Sequence, residues 1–440
     1  MKICLSVGSY HLKDYCVIPS TTAAFMRILC LPSYLYDMKR ALLLLFFSIK
    51  TCFAQTTVSP LTQGIWRAEL QINDTLSLPF NFLSTSEGLE IMNGRERLPV
   101  NEYSLVGDTL VIRFPVFDAE VRCRYTADSL NGFFLNHARK TQNVVPFRAA
   151  AGQGFRFSDR PERPVTDISG RWQVIFDGEE GENRFAVAEF EQSGARVTGT
   201  VLTPTGDHRF LEGELAGSRL HLSAFDGSHL FLYEAELTSD SSLQGHFFSG
   251  RHYHDTWVAF RKADASLPDP DALAFLRPGY SSLDFSFADR NGKYWTPRDP
   301  SFVNKVLIVQ LLGSWCPNCM DETAFLSDYY RMHRDRGVEI IGIAYERTTD
   351  SLRLWKNIDR FRNFHHVEYP LVYGGYANKD SAAKTLPMLN RVFAFPTTII
   401  LDRKGQVRRV HSGFNGPATG EAYKKETAEL SSFIDRLLAE

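Results

Sequence analysis

Val309-Gln310-Leu311-Leu312-Gly313-Ser314-Trp315-Cys316-Pro317-Asn318-Cys319-Met320-Asp321-Glu322 is the stretch whose reading decides the fold. An apolar run from Val306 to Leu312 ends in Gly313-Ser314, passes through Trp315-Cys316-Pro317-Asn318-Cys319, and continues into helix-forming residues. Two cysteines separated by two residues, where a strand hands over to a helix, are the pattern of a thiol–disulfide site. A structural disulfide or half of a zinc site would use the same spacing.

Working outward, the residues after Tyr280 alternate strand and helix patterns, which predicts an α/β domain over 280–440. Leu283–Phe287 with Asp289–Tyr294 reads as an opening hairpin. Val306–Leu312 is apolar throughout, as a central strand covered on both faces requires. The helix that follows carries Phe325, Leu326, Tyr329 and Met332 on one face, with Gly337 just past its end. Val338–Ala344 is the next strand, and 350–364 a helix with Leu354, Ile358 and Phe361 on one stripe. Tyr373-Gly374-Gly375-Tyr376 is expected to be a flexible loop on the side of the cysteines. Phe395-Pro396-Thr397-Thr398 opens another strand, which turns through Asp402-Arg403-Lys404-Gly405 into Gln406–Ser412. A helix over 421–438 closes the domain.

Upstream, residues 57–262 show little helical periodicity and much alternation. Ala119, Val121, Cys123 and Tyr125 share one face of a strand, and Glu120, Arg122 and Arg124 the other. Turn signals such as Asn93-Gly94, Asn131-Gly132 and Asp226-Gly227 recur at short intervals, so an all-β antiparallel barrel or sandwich is expected. Four segments recur in the same order. Gly64-Ile65-Trp66 is echoed by Gly170-Arg171-Trp172, and Leu105-Val106-Gly107 by Leu215-Ala216-Gly217. Ser129-Leu130-Asn131-Gly132 is echoed by Ser242-Leu243-Gln244-Gly245, and Val145-Pro146-Phe147-Arg148 by Val258-Ala259-Phe260-Arg261. The order predicts a duplicated β unit, one copy over 55–151 and the other over 165–263. Two separate barrels and one shared structure both fit the pattern. Residues 152–169 and 264–279, rich in Pro and Asp, read as linkers.

Length, 44% apolar and 23% charged residues allow two to four globular domains in 440 residues. A net charge of −2 gives no reason to expect nucleic acid as a partner. Met38-Lys39-Arg40, nine residues from Ala41 to Ile49 dominated by apolar side chains, and a small residue at Ala54 read as a secretory signal peptide over 38–54. The run is too short to span a bilayer, so no integral membrane span is expected after cleavage. Residues 1–37 read as an upstream extension ahead of a start at Met38. Of seven cysteines, four (Cys4, Cys16, Cys30 and Cys52) precede residue 55. The exported chain would keep Cys123, read as a buried free thiol, and the pair Cys316 and Cys319. It would hold no second Cys-x-x-Cys for zinc, and no metal or cofactor is expected. The expected location is the periplasm or cell envelope, an oxidising compartment.

Residues 280–440 resemble the thioredoxin superfamily, and within it the exported TlpA/ResA-like thiol–disulfide oxidoreductases. The resemblance rests on Trp315-Cys316-Pro317-Asn318-Cys319, on Glu322, on Phe395-Pro396-Thr397-Thr398 and on the Asp402-Arg403-Lys404-Gly405 turn. It implies a thioredoxin-like fold with Cys316 as nucleophile and Cys319 as resolving thiol. It also implies a cis bond before Pro396, and contact with a client through Trp315, Pro317, Phe395 and Thr397. For Glu322 it implies a proton-handling role, although an acid in a helix's first turn is favourable in any protein. Many thioredoxins carry an acid six residues before the first cysteine; here Gln310 stands there, which leaves Glu322 as the acid nearest the motif. Asp321 is expected to point to solvent. The resulting expectation is a reductase of envelope protein disulfides, served by an envelope electron donor. An oxidase or isomerase is the neighbouring reading. A ligand- or protein-binding β module with an accessory redox domain is the reading from a different class.

Overall fold

Gly64 and Gly170 both sit at positive φ, 120° and 113°. Two residues on, Trp66 and Trp172 each donate the indole N–H to the carbonyl four residues back, Thr62 at 2.8 Å and Ile168 at 2.9 Å. Gly107 and Gly217 share a left-handed φ of 63° and 61°. A Cβ on Gly132 would lie 2.1 Å from the Arg122 carbonyl oxygen, and one on Gly245 1.9 Å from that of Glu234, so the facing strand excludes a side chain at both. The first three echoes therefore fall at equivalent positions of two similar β units, whereas the fourth is three residues out of register: Gly132 faces Phe147, but Gly245 faces Trp257, and Phe260 is exposed.

These relations come from a computed structural model that describes residues 61–440; the expected signal peptide and Cys4, Cys16, Cys30 and Cys52 lie outside the described residues. The first copy is a nine-stranded antiparallel meander from Gly64–Gln71 to Val144–Ala151. Its last strand pairs back onto its first, Trp66 opposite Ala151, and Glu96–Val100 and Glu102–Val106 form its two ends. The second copy runs from Gly170–Phe176 to Tyr253–Arg261, and pairing of Phe185–Ser193 with Arg196–Thr203 closes it into a barrel. The alternation seen in the sequence is the alternation of burial: Trp172, Val174 and Phe176 face inward, and Arg171, Gln173 and Ile175 are less buried.

The copies are separately paired sheets that share side chains. Phe225 of the second is fully buried, with its ring 4.6 Å from Phe80, 5.5 Å from Phe114 and 5.3 Å from Phe134 of the first. Neither linker is a free spacer. Arg156 is buried and donates to the carbonyl and the hydroxyl of Ser223, both at 3.1 Å. Ala265, Leu273 and Ala274 are buried, and Leu276 bridges to Leu389. Pro and Asp mark these segments as non-repetitive; they do not make them solvated.

The C-terminal domain is a five-stranded sheet with helices on it. β1 (Val306–Leu312), fully buried, is the middle strand. β2 (Val338–Glu346) and β3 (Leu371–Tyr376) add in parallel on one side, and β4 (Thr397–Leu401) and β5 (Val407–Ser412) antiparallel on the other. The helices are α1 (Pro317–His333), α2 (Ser351–Phe364), α3 (Lys379–Thr385) and α4 (Glu421–Ala439). This is the thioredoxin-like α/β arrangement expected from the sequence. One expectation fails: Tyr373-Gly374-Gly375-Tyr376 is part of β3 and not a loop. A Cβ on Gly374 would stand 2.5 Å from Ile343 and 2.7 Å from Tyr345, so the glycine serves close strand packing.

Replacing Phe225 by alanine removes the ring that joins the two β copies. Equilibrium denaturation of Phe225→Ala should show a loss of about 3–5 kcal/mol, the usual cost of a buried Phe→Ala change.

Candidate active site

β1 ends at Leu312, and the next four residues carry the chain to the start of α1. Cys316 is the N-cap residue, in extended conformation, with Pro317 in the first turn where its missing N–H leaves no bond unmade. Cys316 Sγ accepts the N–H of Cys319 at 3.2 Å and lies 3.3 Å from the Phe395 carbonyl oxygen. The two cysteines are joined as a disulfide, with Cα atoms 5.2 Å apart. Cys319, one turn in, has no exposed surface, and Cys316 is 3% exposed. A sulfur at this point faces unpaired backbone N–H groups and the positive end of the helix dipole, which favours the thiolate once the pair is reduced. Among the described residues the remaining cysteine, Cys123, is buried on its strand, and burial pushes its thiol up to about 12.

The Phe395–Pro396 bond is cis, as the resemblance implied, and the turn it makes lies against Cys316. Trp315 is half-buried; it donates to the Tyr345 carbonyl at 2.9 Å and meets Phe395 edge to face at 5.8 Å. Thr397 differs from expectation. Its hydroxyl donates to the Ala394 carbonyl at 2.8 Å and none of it is exposed, so its side chain supports the turn.

Glu322 is fully buried beneath the pair. It accepts from Gln310 Nε2 at 2.7 Å and from Thr398 Oγ1 at 2.6 Å, while Gln310 accepts from Thr323 at 3.0 Å. Burial pushes the carboxyl up to about 7, against the two hydrogen bonds that favour its ionised form. A second buried acid escaped the sequence reading. Glu346, at the end of β2, accepts from the N–H of Ser314 at 2.9 Å and from its hydroxyl at 2.8 Å, and burial pushes it up to about 7 as well. The available signal was a charged residue at the end of the apolar run Ile340–Tyr345.

The β half reaches the site directly. Asn318, between the two cysteines, donates to the backbone carbonyl and the carboxylate of Asp207, at 3.3 and 3.2 Å. A Cβ on Gly206 would fall 2.4 Å from Asn318, and one on Gly413, in the loop after β5, 2.9 Å from the Pro204 carbonyl oxygen. Asp207 also accepts the N–H of Gly416 at 2.6 Å. Asp321, expected in solvent, is mostly buried instead and ion-paired to Arg209, which also holds Glu96 at 2.6 Å. Burial raises the Asp207 carboxyl, opposed by Arg209, whose guanidinium is paired to Asp321 and Glu96 and also feels the charges of Asp226 and Asp207. The turn 203–207 thus lies over the loops that surround Cys316.

Comparison with known proteins agrees with this geometry. Residues 278–426 match the Redoxin family model. The chain is 25% identical over 140 residues to the thiol-disulfide oxidoreductase ResA of Halalkalibacterium halodurans, a match covering 32% of this chain and 71% of that protein. To ResA of Bacillus subtilis it is 24% identical over 138 residues, 31% of this chain and 69% of the relative. Among solved structures, a thiol-disulfide oxidoreductase from Bacteroides fragilis aligns at 19% identity over 34% of this chain and 99% of its own, with a TM-score of 0.27. The N-terminal β half has no counterpart in these matches. Residues 278–426 form a Redoxin domain, and the chain is a thiol–disulfide oxidoreductase.

Proposed function

We propose that the chain is an exported reductase of protein disulfides in the cell envelope. The observation that carries this is Cys316 at the N-cap of α1, its sulfur held by the Cys319 N–H beside the Phe395 carbonyl. In the reduced enzyme the Cys316 thiolate attacks one sulfur of a client disulfide. A mixed disulfide forms, and the first client sulfur leaves as a thiolate that takes a proton. Cys319, deprotonated, then attacks Cys316 Sγ; the Cys316–Cys319 disulfide forms and the second client thiol is released. The client gains two electrons, which an envelope dithiol donor returns to the enzyme. Glu322, with a carboxyl near 7 below the pair, is suited to take up the proton that Cys319 loses. Export rests on the basic, apolar, small-residue order of residues 38–54.

The β half belongs to the same reading. Cys316 is buried, and the turn 203–207 lies over its surroundings, so a protein client engages when that turn moves away. Arg209 is the main tether, since it alone neutralises Asp321 and Glu96 at the contact.

Cys319→Ser should accumulate mixed disulfides with envelope proteins through Cys316; a purified enzyme that traps none in oxidised extract would sink the reading. A reductase requires the pair's reduction potential to lie below that of the surrounding thiol pool, and a more oxidising value would assign an oxidase.

Glu322→Gln tests the buried acid. A carboxyl raised from 4.5 to about 7 holds its proton in the folded state, so native stability falls as pH rises from about 4.5 through 7. Denaturation of the oxidised protein should lose up to roughly 3 kcal/mol over that window. The Gln variant should lose Glu322's share of that slope and keep the share that the similarly raised Glu346 contributes, and its reaction rate should lack a limb near pH 7.

Arg209→Ala leaves Asp321 and Glu96 without their shared cation. Alkylation of reduced Cys316 should then quicken by about tenfold or more, since removing one partner of a buried pair costs several kcal/mol. An unchanged rate would mean that the turn does not limit access.

A further inference from the structure

A cavity of about 260 Å³ opens where the first β copy meets the redox domain, and Trp315 forms part of its wall. Arg139 and Lys140 line it from the loop after the strand Ser129–Asn136, and Arg347, Asn357 and Tyr376 from the redox domain. Its anionic groups already have partners. Asp118 accepts from Arg353 Nε at 2.9 Å and Nη2 at 2.7 Å, and Glu346 accepts both bonds from Ser314.

The cations are in the opposite position. Among the described residues Arg139, Lys140 and Arg347 make no ion pair. Arg347 lies over the Trp315 ring, 3.9 Å from its centroid, and Lys140 over Tyr376 at 5.4 Å. Ring faces soften a desolvated cation without neutralising it. Burial, and then Arg139 across the cavity, bring Arg347 down to about 10. Two guanidinium groups that repel each other at a domain junction leave a site complementary to an anion, and their planar forks suit carboxylate or phosphate oxygens.

One more group narrows the chemistry. Asn357 is 6% exposed, and its Oδ1 is buried without a hydrogen-bond partner. A buried amide oxygen left unpaired is costly, so an occupant that supplies an O–H or N–H there gains a bond that no residue provides. The volume is small for a ligand pocket and excludes anything of nucleotide size.

We propose that this cavity binds a free small anion, a carboxylate or phosphate that also carries a hydrogen-bond donor. Arg347 and Arg139 hold its charge from the two sides of the domain junction, and Asn357 accepts from its donor. The bound anion bridges the β half and the redox domain beside Trp315. The site is independent of the direction of electron flow.

The test is calorimetry on the full-length oxidised protein with citrate, with tricarballylate (the same three carboxylates without the hydroxyl), and with inorganic phosphate. Citrate should bind saturably, about tenfold more tightly than tricarballylate, with phosphate weaker still. Arg347→Gln and Arg139→Gln, on opposite walls, should each weaken citrate about tenfold or more. Asn357→Leu should abolish the preference for citrate over tricarballylate. Arg436→Gln, on α4 away from the cavity, controls for general charge. Near-ultraviolet circular dichroism establishes that each variant is folded; if one wall variant does not fold, the other decides. Absence of saturable binding by all three anions overturns the proposal, as does binding that survives both wall variants. Binding of an acidic peptide but of no small anion overturns it too, and assigns the cavity to client docking.

Discussion

Asp207 holds the molecule's two halves together at the point where the chemistry occurs. Its carboxylate receives Asn318 Nδ2 at 3.2 Å and the Gly416 N–H at 2.6 Å, so one side chain pins the residue between the cysteines and the loop after β5. Arg209, two residues on, adds Asp321 and Glu96. A buried cluster of this kind contributes specificity of docking more than stability, because desolvating the charges offsets much of their attraction. Its consequence is that the groove of the redox domain is closed by the chain's own β half.

Two buried acids lie in the redox domain, Glu322 held by Gln310 and Thr398 and Glu346 by Ser314, two residues before Cys316. Both lie near neutrality because water is excluded from them. Two buried carboxyls near neutrality thus lie in the same domain as the cysteine pair.

Much of this could be read from residues. Trp315-Cys316-Pro317-Asn318-Cys319 after an apolar strand fixed the strand-to-helix junction, since only that local geometry puts Cys316 at the helix N-cap. The glycines and tryptophans of the β half marked the duplication because each meets a backbone constraint that recurs once per copy. Tyr373-Gly374-Gly375-Tyr376 was misread as a loop: glycines signal chain reversal and tight packing alike, and only the neighbouring Ile343 and Tyr345 distinguish them. Asp321 was misread as solvated because its partner, Arg209, is 112 residues away in sequence.

The sequence by itself determined the redox pair, its helix, the turn before β4 and the twofold β pattern, because each depends on residues close together in the chain. The tertiary structure alone decided that Asp207 and Arg209 bring the β half onto the loops around Cys316, that Phe225 fastens one β copy to the other, and that Arg139 and Arg347 line one cavity whose carboxylates are hydrogen-bonded to other residues. These relations bring together side chains from different domains. No local periodicity encodes them; they follow from which surfaces remain to be covered once each domain has folded.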